Sequence, residues 1–498
     1  MQASMFNVRV PLEERGDVFL MNTFTDAQLI VSRDVVDLLD RLGEVRADET
    51  TALSDHERVA IDQLAEQGFV VTDRDTERRD LRAYFRDVRE SSDTLRVTVL
   101  TTLQCNFACD YCIQGDHGDY NKNAAKMSMD VAARVAGWTE SRLDAVGPKR
   151  FVLTFFGGEP LLNMPVLYYL AERLHAACAA RGIEILINII TNGLLLSREM
   201  VERLNPLGLN GIKITLDGDR DAHNRMRPLR GGQGTFDRII SNVRQVADLT
   251  HIAVGGNFDV DTVDSYPALL DFLASQDFAP RLTKVAFKPV IREKTQVAKG
   301  LIPLTAVGTD GAPLNGACMT SAGTGVSRVC DGCNFVDEKM SFLREETKKR
   351  GFATADGVHM GPCEIHREHS HTVGTDGSLF ACPGFAGEAL QSIGHIDGRR
   401  DEFQSQALRN FERLSAWDQC NDCAFIPVCA GGCTVAAHNE LGDMHAPNCH
   451  KPSFEAGLVA LAHVAGLLLD LLRIQPHSVT AGTDRHPVVP IAVAAELT

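Results

Sequence analysis

The sequence predicts an α/β protein built on a partial (β/α)6 barrel of the TIM type. A small N-terminal α+β unit precedes the barrel and a cysteine-dense region follows it. Three observations predict this. Between residues 93 and 300, six apolar runs of strand length alternate with five amphipathic runs of helix length. The apolar runs are nearly continuous, as parallel strands require when helices cover the sheet. Residues 356–452 hold seven cysteines in a loop-rich stretch with little helical or strand periodicity.

The elements follow in order. Residues 18–24 and 28–31 alternate polar and apolar positions around Thr25-Asp26-Ala27, the pattern of a hairpin. Ser32 caps a short helix with Val35, Leu38, Leu39 and Leu42 on one face. Ser54 and Glu57 stand at capping-box spacing before Val59, Ile61 and Leu64, and Gly68 ends that helix. A strand at 69–71 and a charged helix at 77–90 complete residues 1–92 as a winged-helix-like α+β domain. In the barrel region, 93–300, strands are expected at 95–102, 151–156, 185–190, 212–217, 252–258 and 284–290. Helices are expected at 128–143, 165–180, 197–204, 235–249 and 265–275. Chemistry in such folds gathers at the C-terminal ends of the strands, and the unusual residues of this chain fall there. Residues 301–355, rich in Gly, Thr and Ala, read as a linker or insertion carrying Cys318, Cys330 and Cys333. A last helix covers about 453–473 and a tail runs to 498.

Composition narrows the function. A chain of 498 residues with 44% hydrophobic and 23% charged residues has length for several domains and an ordinary globular core. Its net charge of −16 argues against a broad nucleic-acid footprint. No basic stretch followed by an apolar run opens the chain, and the apolar segment 458–472 contains His463 and Asp470. A cytoplasmic protein with no membrane span is expected. In a reducing compartment its 14 cysteines point to metal or redox chemistry.

Directly after the first barrel strand stands Cys105-Asn-Phe-Ala-Cys109-Asp-Tyr-Cys112. Three thiolates on one loop can ligate three irons of a cubane and leave the fourth without a protein ligand. A zinc knuckle, with His117 as fourth ligand, is the competing reading. Position favours iron, because further motifs follow the next three strands: Phe156-Gly157-Gly158-Glu159-Pro160, Thr191-Asn192-Gly193 and Thr215-Leu216-Asp217-Gly218. On these motifs, residues 95–290 resemble the radical S-adenosylmethionine (AdoMet) superfamily. The resemblance implies a 4Fe–4S cluster on Cys105, Cys109 and Cys112, whose open iron chelates AdoMet. It implies that Gly157, Gly158 and Glu159 meet the AdoMet amino group, the glycines by allowing close backbone approach. Tyr111 would stand beside the adenine, Asn192 in the same site, and Thr215 and Asp217 near the ribose. One arginine of His223-Asn-Arg225-Met-Arg227-Pro, taken as Arg225, would pair with the AdoMet carboxylate.

Downstream, Cys363 is followed by thirteen residues, Gly377, four residues and Cys382. Cys420-x2-Cys423-x5-Cys429-x3-Cys433 comes next, then Cys449 after fifteen residues. Seven cysteines exceed what one metal needs. A pair of zinc sites with His366, His369, His371 and His445 as spare ligands is the alternative. The pattern closely resembles the SPASM domain of radical AdoMet peptide-modifying enzymes, which places it at 356–452. That likeness implies two auxiliary 4Fe–4S clusters, so three clusters in all. Cys363, Cys382 and Cys433 would serve the nearer one, and Cys420, Cys423, Cys429 and Cys449 the distal one. Relatives with a fully ligated near cluster carry a cysteine where this chain has Gly357. The near cluster therefore either keeps an open iron or takes Cys318, Cys330 or Cys333, with Cys333 the residue chosen here. Cys178 reads as core.

SPASM enzymes act mostly on peptides or proteins. In anaerobic sulfatase-maturating enzymes an aspartate follows the second SPASM cysteine, whereas here it is Pro383. Residues 1–92 resemble, by element order, PqqD-like domains that bind a leader peptide as an added strand. The expected function is maturation of a ribosomal precursor peptide to a thioether or carbon–carbon cross-link or an epimerised residue. A flavodoxin- or ferredoxin-type donor would supply electrons. Formylglycine formation and a non-catalytic, metal-stabilised peptide-binding scaffold are the alternatives. The candidate bases Asp259, Asp261, Glu364 and His366 are not ranked by sequence.

Overall fold

The computed structural model describes residues 1–44, 53–109, 111–112, 124–290, 306–307, 313–314, 331–355, 358 and 361–472. Strands β2 (Asn7–Leu12), β3 (Asp17–Asn22) and β4 (Gln28–Val31) form an antiparallel sheet. The β3–β4 pair is the hairpin expected from alternation, whereas β2 and β1 (Gln2–Ala3) were not anticipated. β1 pairs antiparallel with β5 (Val70–Val71), so chain start and helical segment close on each other. Helix α1 (Arg33–Glu44) packs Val35, Leu38 and Leu39 on the sheet. Helix α2 (Asp55–Glu66) starts at the Ser54/Glu57 capping box, with both reciprocal bonds made. Helix α3 (Arg74–Glu90) is tied to the chain start through Glu77, which is buried and accepts from Ser4 Oγ and Met5 N and pairs with Arg74 at 2.7 Å.

The centre of the molecule is a nine-stranded sheet. Six consecutive strands of it are β6 (Thr94–Thr102), β7 (Arg150–Gly157), β8 (Glu184–Thr191), β9 (Leu209–Thr215), β10 (Ile252–Phe258) and β11 (Leu282–Pro289). All run parallel in that order, each of them within a few residues of its sequence expectation. Between them lie α4 (Met129–Val146), α5 (Met164–Ala179), α6 (Arg198–Leu204), α7 (Arg220–Met226), α8 (Phe236–Val246) and α9 (Tyr266–Ala274). Alternate strand residues such as Val97, Leu153, Ile187, Ile189, Ile212 and Ile214 are buried in one core under these helices, with Cys178 among them. Each fully buried side chain of that kind contributes roughly 1.5–3 kcal/mol. The result is a mixed α/β fold around a central parallel sheet, consistent with a partial barrel.

Two later segments depart from expectation. β12 (Ala306–Val307) and β13 (Pro313–Leu314) pair antiparallel, and α10 (Asp331–Lys349) is a helix where a linker was expected. Leu343 and Thr347 of α10 are buried, and Arg344 donates to Ser453 O at 3.1 Å, so tertiary packing holds this helix despite weak local periodicity. In the cysteine-rich region, β14 (Ser370–Val373) adds to β6 in parallel, and β15 (Ser378–Phe380) and β16 (Gly394–His395) continue antiparallel. The region expected to be mostly loop thus extends the central sheet by three strands. Helices α11 (Glu402–Glu412) and α12 (Lys451–Leu472) follow, and α12 ends the described residues.

The N-terminal unit rests on the cysteine-rich region. Val8, Val10, Phe19 and Met21 share a core with Phe425, Leu458 and Ala462. Phe85 of α3 stacks on Trp417 with ring centroids 4.0 Å apart, beside Met5, Phe6 and Ile426. Truncating Phe85 to alanine removes this buried aromatic pair and is expected to destabilise the protein by about 3–5 kcal/mol. Chemical unfolding of the F85A variant, with protease sensitivity of residues 1–90 as a second readout, measures it.

Candidate functional site

The tops of β6 and β7 are joined by two backbone hydrogen bonds. Gly158 N donates to Thr102 O and Glu159 N to Gln104 O, both at 2.8 Å. A Cβ on Gly157 would lie 2.3 Å from Thr102 O, and one on Gly158 2.2 Å from Gln104 O. These glycines are therefore needed to seat the stem of the cysteine loop, whatever further close approach a ligand makes to them. Gly157 also has φ of +131°, which L side chains rarely adopt.

Glu159 is fully buried, and its carboxylate accepts from Leu161 N, Thr191 Oγ1 and Asn192 N at 2.7–3.0 Å. Burial raises its pKa, opposed by those three donors. In the described structure its oxygens bind the strand tops to one another. Asn192 carries the chain onward: its Nδ2 donates to Asn106 Oδ1 at 2.7 Å and approaches Cys105 Sγ at 3.7 Å. From the other side the segment 228–230 clasps the loop. Ala108 N donates to Pro228 O, Arg230 Nε to Cys105 O, and Phe107 and Leu229 form an isolated bridge.

This clasp brings Cys105, Cys109 and Cys112 close enough for each thiol to act electrostatically on its neighbours. Burial pushes Cys105 up to about 11 and Cys109 up to about 12. Metal ligation requires thiolates, so loading this loop displaces protons. Among the described residues no three His, Cys, Asp or Glu side chains close on one point as ligands of a single ion do. A cubane spreads its thiolates over separate corner irons, which suits a looser triad. His117 lies outside the described residues.

A second group faces the loop. Tyr111 Oη donates to Asp217, while Arg227 Nη1 donates to Tyr111 Oη at 2.6 Å and stands 3.5 Å from Asp217 Oδ2. Asn257 donates to Asp217 through its backbone N at 2.7 Å and to Tyr111 Oη through Nδ2 at 3.2 Å. Burial works against the Arg227 charge, but Tyr111, Cys109 and Asp217 outweigh it and hold its pKa above the usual arginine range. Arg227 Nε is buried with no hydrogen-bond partner among the described residues. A bound carboxylate would satisfy this donor, so the residues present fit the carboxylate end of AdoMet. Arg225, chosen from sequence, is instead exposed, and Arg227 is the arginine that reaches the site. The reason is helical geometry: α7 ends at Met226, and Arg227 leaves it with a non-helical backbone that turns inward.

Asp217 is held from beneath by His223. Asp217 N donates to His223 Nδ1, so the ring proton sits on Nε2 and donates to Thr235 Oγ1, which donates to Arg227 O. Burial, then Arg227, lowers the His223 pKa well below its usual value and keeps the ring neutral. Sequence reading named His223 without a role and missed Asn257, whose signal is a lone polar residue at the end of an apolar strand. Thr215 ends β9 on the same edge.

The remaining cysteines fall into two groups. Cys382 feels the charges of Cys363 and Cys433. Cys420 and Cys429 feel Cys423 and Cys449. Gly377 turns the β14–β15 hairpin at φ of +96° and so sets Cys382. Gly432 passes so close to Asn448 that a Cβ would lie 1.8 Å from its carbonyl oxygen, which draws Cys449 beside Cys429. Cys318, Cys330 and Gly357 lie outside the described residues, as does the side chain of Cys333. Of the candidate bases, Glu364 pairs with Arg96 at 3.1 Å, Asp259 accepts from Thr262 Oγ1 and Asp261 N, Asp261 is exposed, and His366 is buried against Trp417.

Residues 99–264 match the family model described as "Radical SAM superfamily". The chain thus carries a radical SAM domain, a domain that implies a 4Fe–4S cluster and AdoMet. Over 163 residues it is 33% identical to a GTP 3′,8-cyclase of Synechococcus sp. (strain CC9605), covering 32% of this chain and 43% of that one. Over 133 residues it is 30% identical to an Fe-coproporphyrin III synthase of Methanosarcina barkeri (strain Fusaro / DSM 804), covering 26% and 30%. The chain spans less than half the length of these curated relatives. Native anSMEcpe, solved with bound AdoMet, shares the fold at a TM-score of 0.54 and 15% identity, over 75% of this chain and 99% of that one. Streptococcus suis SuiB, solved with its precursor peptide SuiA, aligns at a TM-score of 0.46 and 14% identity, over 89% and 98%. Among the described residues no helix is long and apolar enough to cross a membrane.

Two substitutions check this site. Gly158→Ala forces Gln104 away and is expected to lower stability by about 1–3 kcal/mol and to lose the iron of one cluster, read by unfolding and metal content. Arg227→Met strips buried Asp217 of its cation and is expected to cost about 3–5 kcal/mol in urea unfolding.

Proposed function

We propose that this chain is a radical AdoMet enzyme that modifies a ribosomally made precursor peptide. The observation that carries the reading is convergence. Three thiols, a buried arginine with an unused donor and the Tyr111–Asp217–Asn257 group meet at the C-terminal edge of one parallel sheet. When bound there, the cluster and AdoMet supply a 5′-deoxyadenosyl radical for hydrogen abstraction. The protein's own residues orient the nucleotide: Tyr111 beside the adenine with Asn192 in the same site, Asp217 and Thr215 toward the ribose, Arg227 toward the carboxylate. Gly157, Gly158 and Glu159 fix the loop against β7.

The seven downstream cysteines would hold two auxiliary 4Fe–4S clusters, with Cys363, Cys382 and Cys433 nearer and Cys420, Cys423, Cys429 and Cys449 distal. Cys333 is proposed as the fourth ligand of the nearer one. Auxiliary clusters suit an oxidised cross-link, which leaves an electron to be carried away, while a flavodoxin- or ferredoxin-type partner supplies the electron that cleaves AdoMet. Peptide recognition is supported by the N-terminal sheet, where β2 and β4 each pair with β3 alone among the described residues. An extended leader adds to such an edge through backbone hydrogen bonds. This is the basis for reading residues 1–92 as a PqqD-like domain.

Fold likeness to anSMEcpe keeps formylglycine formation as a second reading. Against it, Pro383 opens a tight turn directly after Cys382 and offers no carboxylate.

Anaerobically reconstituted protein, reduced with dithionite, is expected to convert AdoMet to 5′-deoxyadenosine, and Cys109→Ala to fall to background. Mass spectrometry of a co-expressed neighbouring precursor peptide then separates the products, since a cross-link removes two hydrogens and epimerisation leaves the mass unchanged. Zinc-loaded protein that leaves AdoMet intact would point to the scaffold reading and overturn this one.

A further inference from the structure

The inner face of the sheet, away from the helices, carries cations that the AdoMet site does not use. On β9, Ile212 and Ile214 are buried under helices, so Lys213 between them points to the inner face. On β11, Val285 and Phe287 are buried in the same way, which turns Lys284 and Lys288 inward. The strand between them registers Ala253 against both Lys213 and Lys284, and Asn257 against Lys288. Lys213 and Lys284 thus share one row, about 10 Å apart across β10. Lys288 stands four residues further toward the catalytic edge, in the row of Asn257, and its charge is felt by Cys382.

The floor between these lysines is small. β10 offers Ala253 and Gly255, and a Cβ on Gly255 would lie 2.7 Å from Lys213 Cε, so the lysine lies across the glycine. All three lysines are open to solvent. Even so, surrounding protein, then Lys288 and Lys284, lowers the Lys213 pKa. Elsewhere on this face Arg96 and Arg150 are each matched, by Glu364 and Glu184. Among the described residues the three lysines have no ion-pair partner, in a chain whose net charge is −16. Their mutual repulsion is relieved by an anion between them.

We propose that Lys213, Lys284 and Lys288 form a carboxylate-binding subsite that draws an acidic run of the substrate peptide along the sheet toward the AdoMet site. The spacing of the lysines suits several side-chain carboxylates rather than one. The subsite rests on the reading of this chain as a peptide-modifying enzyme, but its test needs no radical chemistry.

The probe is fluorescein-labelled hexaglutamate with an amidated C-terminus, titrated with anaerobically reconstituted holoenzyme and followed by anisotropy. Binding is expected, weakening with salt, and the triple variant K213Q/K284Q/K288Q should raise Kd about tenfold or more. The triple arginine variant should retain binding. Lys284→Glu, on an exposed position, gives the same test should the triple variant lose iron, and is expected to weaken binding too. Unchanged affinity in these variants overturns the subsite. So does binding confined to the free-acid peptide, which would assign the contact to a terminal carboxylate. An enzyme that cleaves AdoMet but binds hexaglutamate independently of these lysines keeps the proposed function and loses the subsite. One that binds through them yet leaves AdoMet intact does the reverse.

Discussion

Two carbonyl oxygens decide where the chemistry of this protein sits. Thr102 O and Gln104 O approach Gly157 and Gly158 so closely that no side chain fits, and each accepts a backbone hydrogen bond from the opposing turn. The cysteine loop therefore leaves β6 at an angle set by main chain, which tolerates far less drift than side-chain packing. The other contacts build outward from that seam. Glu159 binds the seam to the end of β8, Asn192 reaches back to the loop, and the segment after Arg227 clasps it from the far side. The buried Tyr111–Asp217–Arg227 group is tolerated because each of its fully buried polar atoms but Arg227 Nε has a partner.

The same sheet links the site to the rest of the molecule. β14 pairs with β6, the strand that carries the cysteine loop, so the cysteine-rich region is built onto the strand that starts the chemistry. The N-terminal unit in turn packs on the cysteine-rich region through Phe85, Trp417, Phe19 and Phe425. A peptide held at the N-terminal sheet would thus be bound to a body continuous with the central sheet. The lysine face of β9 and β11 lies at the other side of that sheet from β14, and the proposed substrate would run along the inner face between them.

Much of this was legible from residues alone. Six apolar strands separated by amphipathic helices carry strong periodic signals, and their bounds fell close to expectation. The Ser54/Glu57 box and the cysteine and glycine motifs were equally plain. What stayed hidden depends on distant partners. β1 and β16 are two residues each, too short for any period, and exist because of the strand they meet. α10 looked like linker since its buried face is set by β11 and α12 rather than by a regular stripe. Arg225 and Arg227 are indistinguishable by spacing, and only the turn at the end of α7 decides between them. The glycine pair was recognised, but its contact with the carbonyls of Thr102 and Gln104 was not, because a motif names residues without showing which backbone passes beside them.

The central claim is that iron, held by Cys105, Cys109 and Cys112, has one corner free for AdoMet. Electron paramagnetic resonance of the reduced holoprotein tests it directly when the downstream seven cysteines are replaced by alanine, leaving the first loop as the remaining cluster site. A 4Fe–4S signal that changes shape on adding AdoMet is the predicted result. A spectrum indifferent to AdoMet, or protein carrying zinc at that loop, would contradict it.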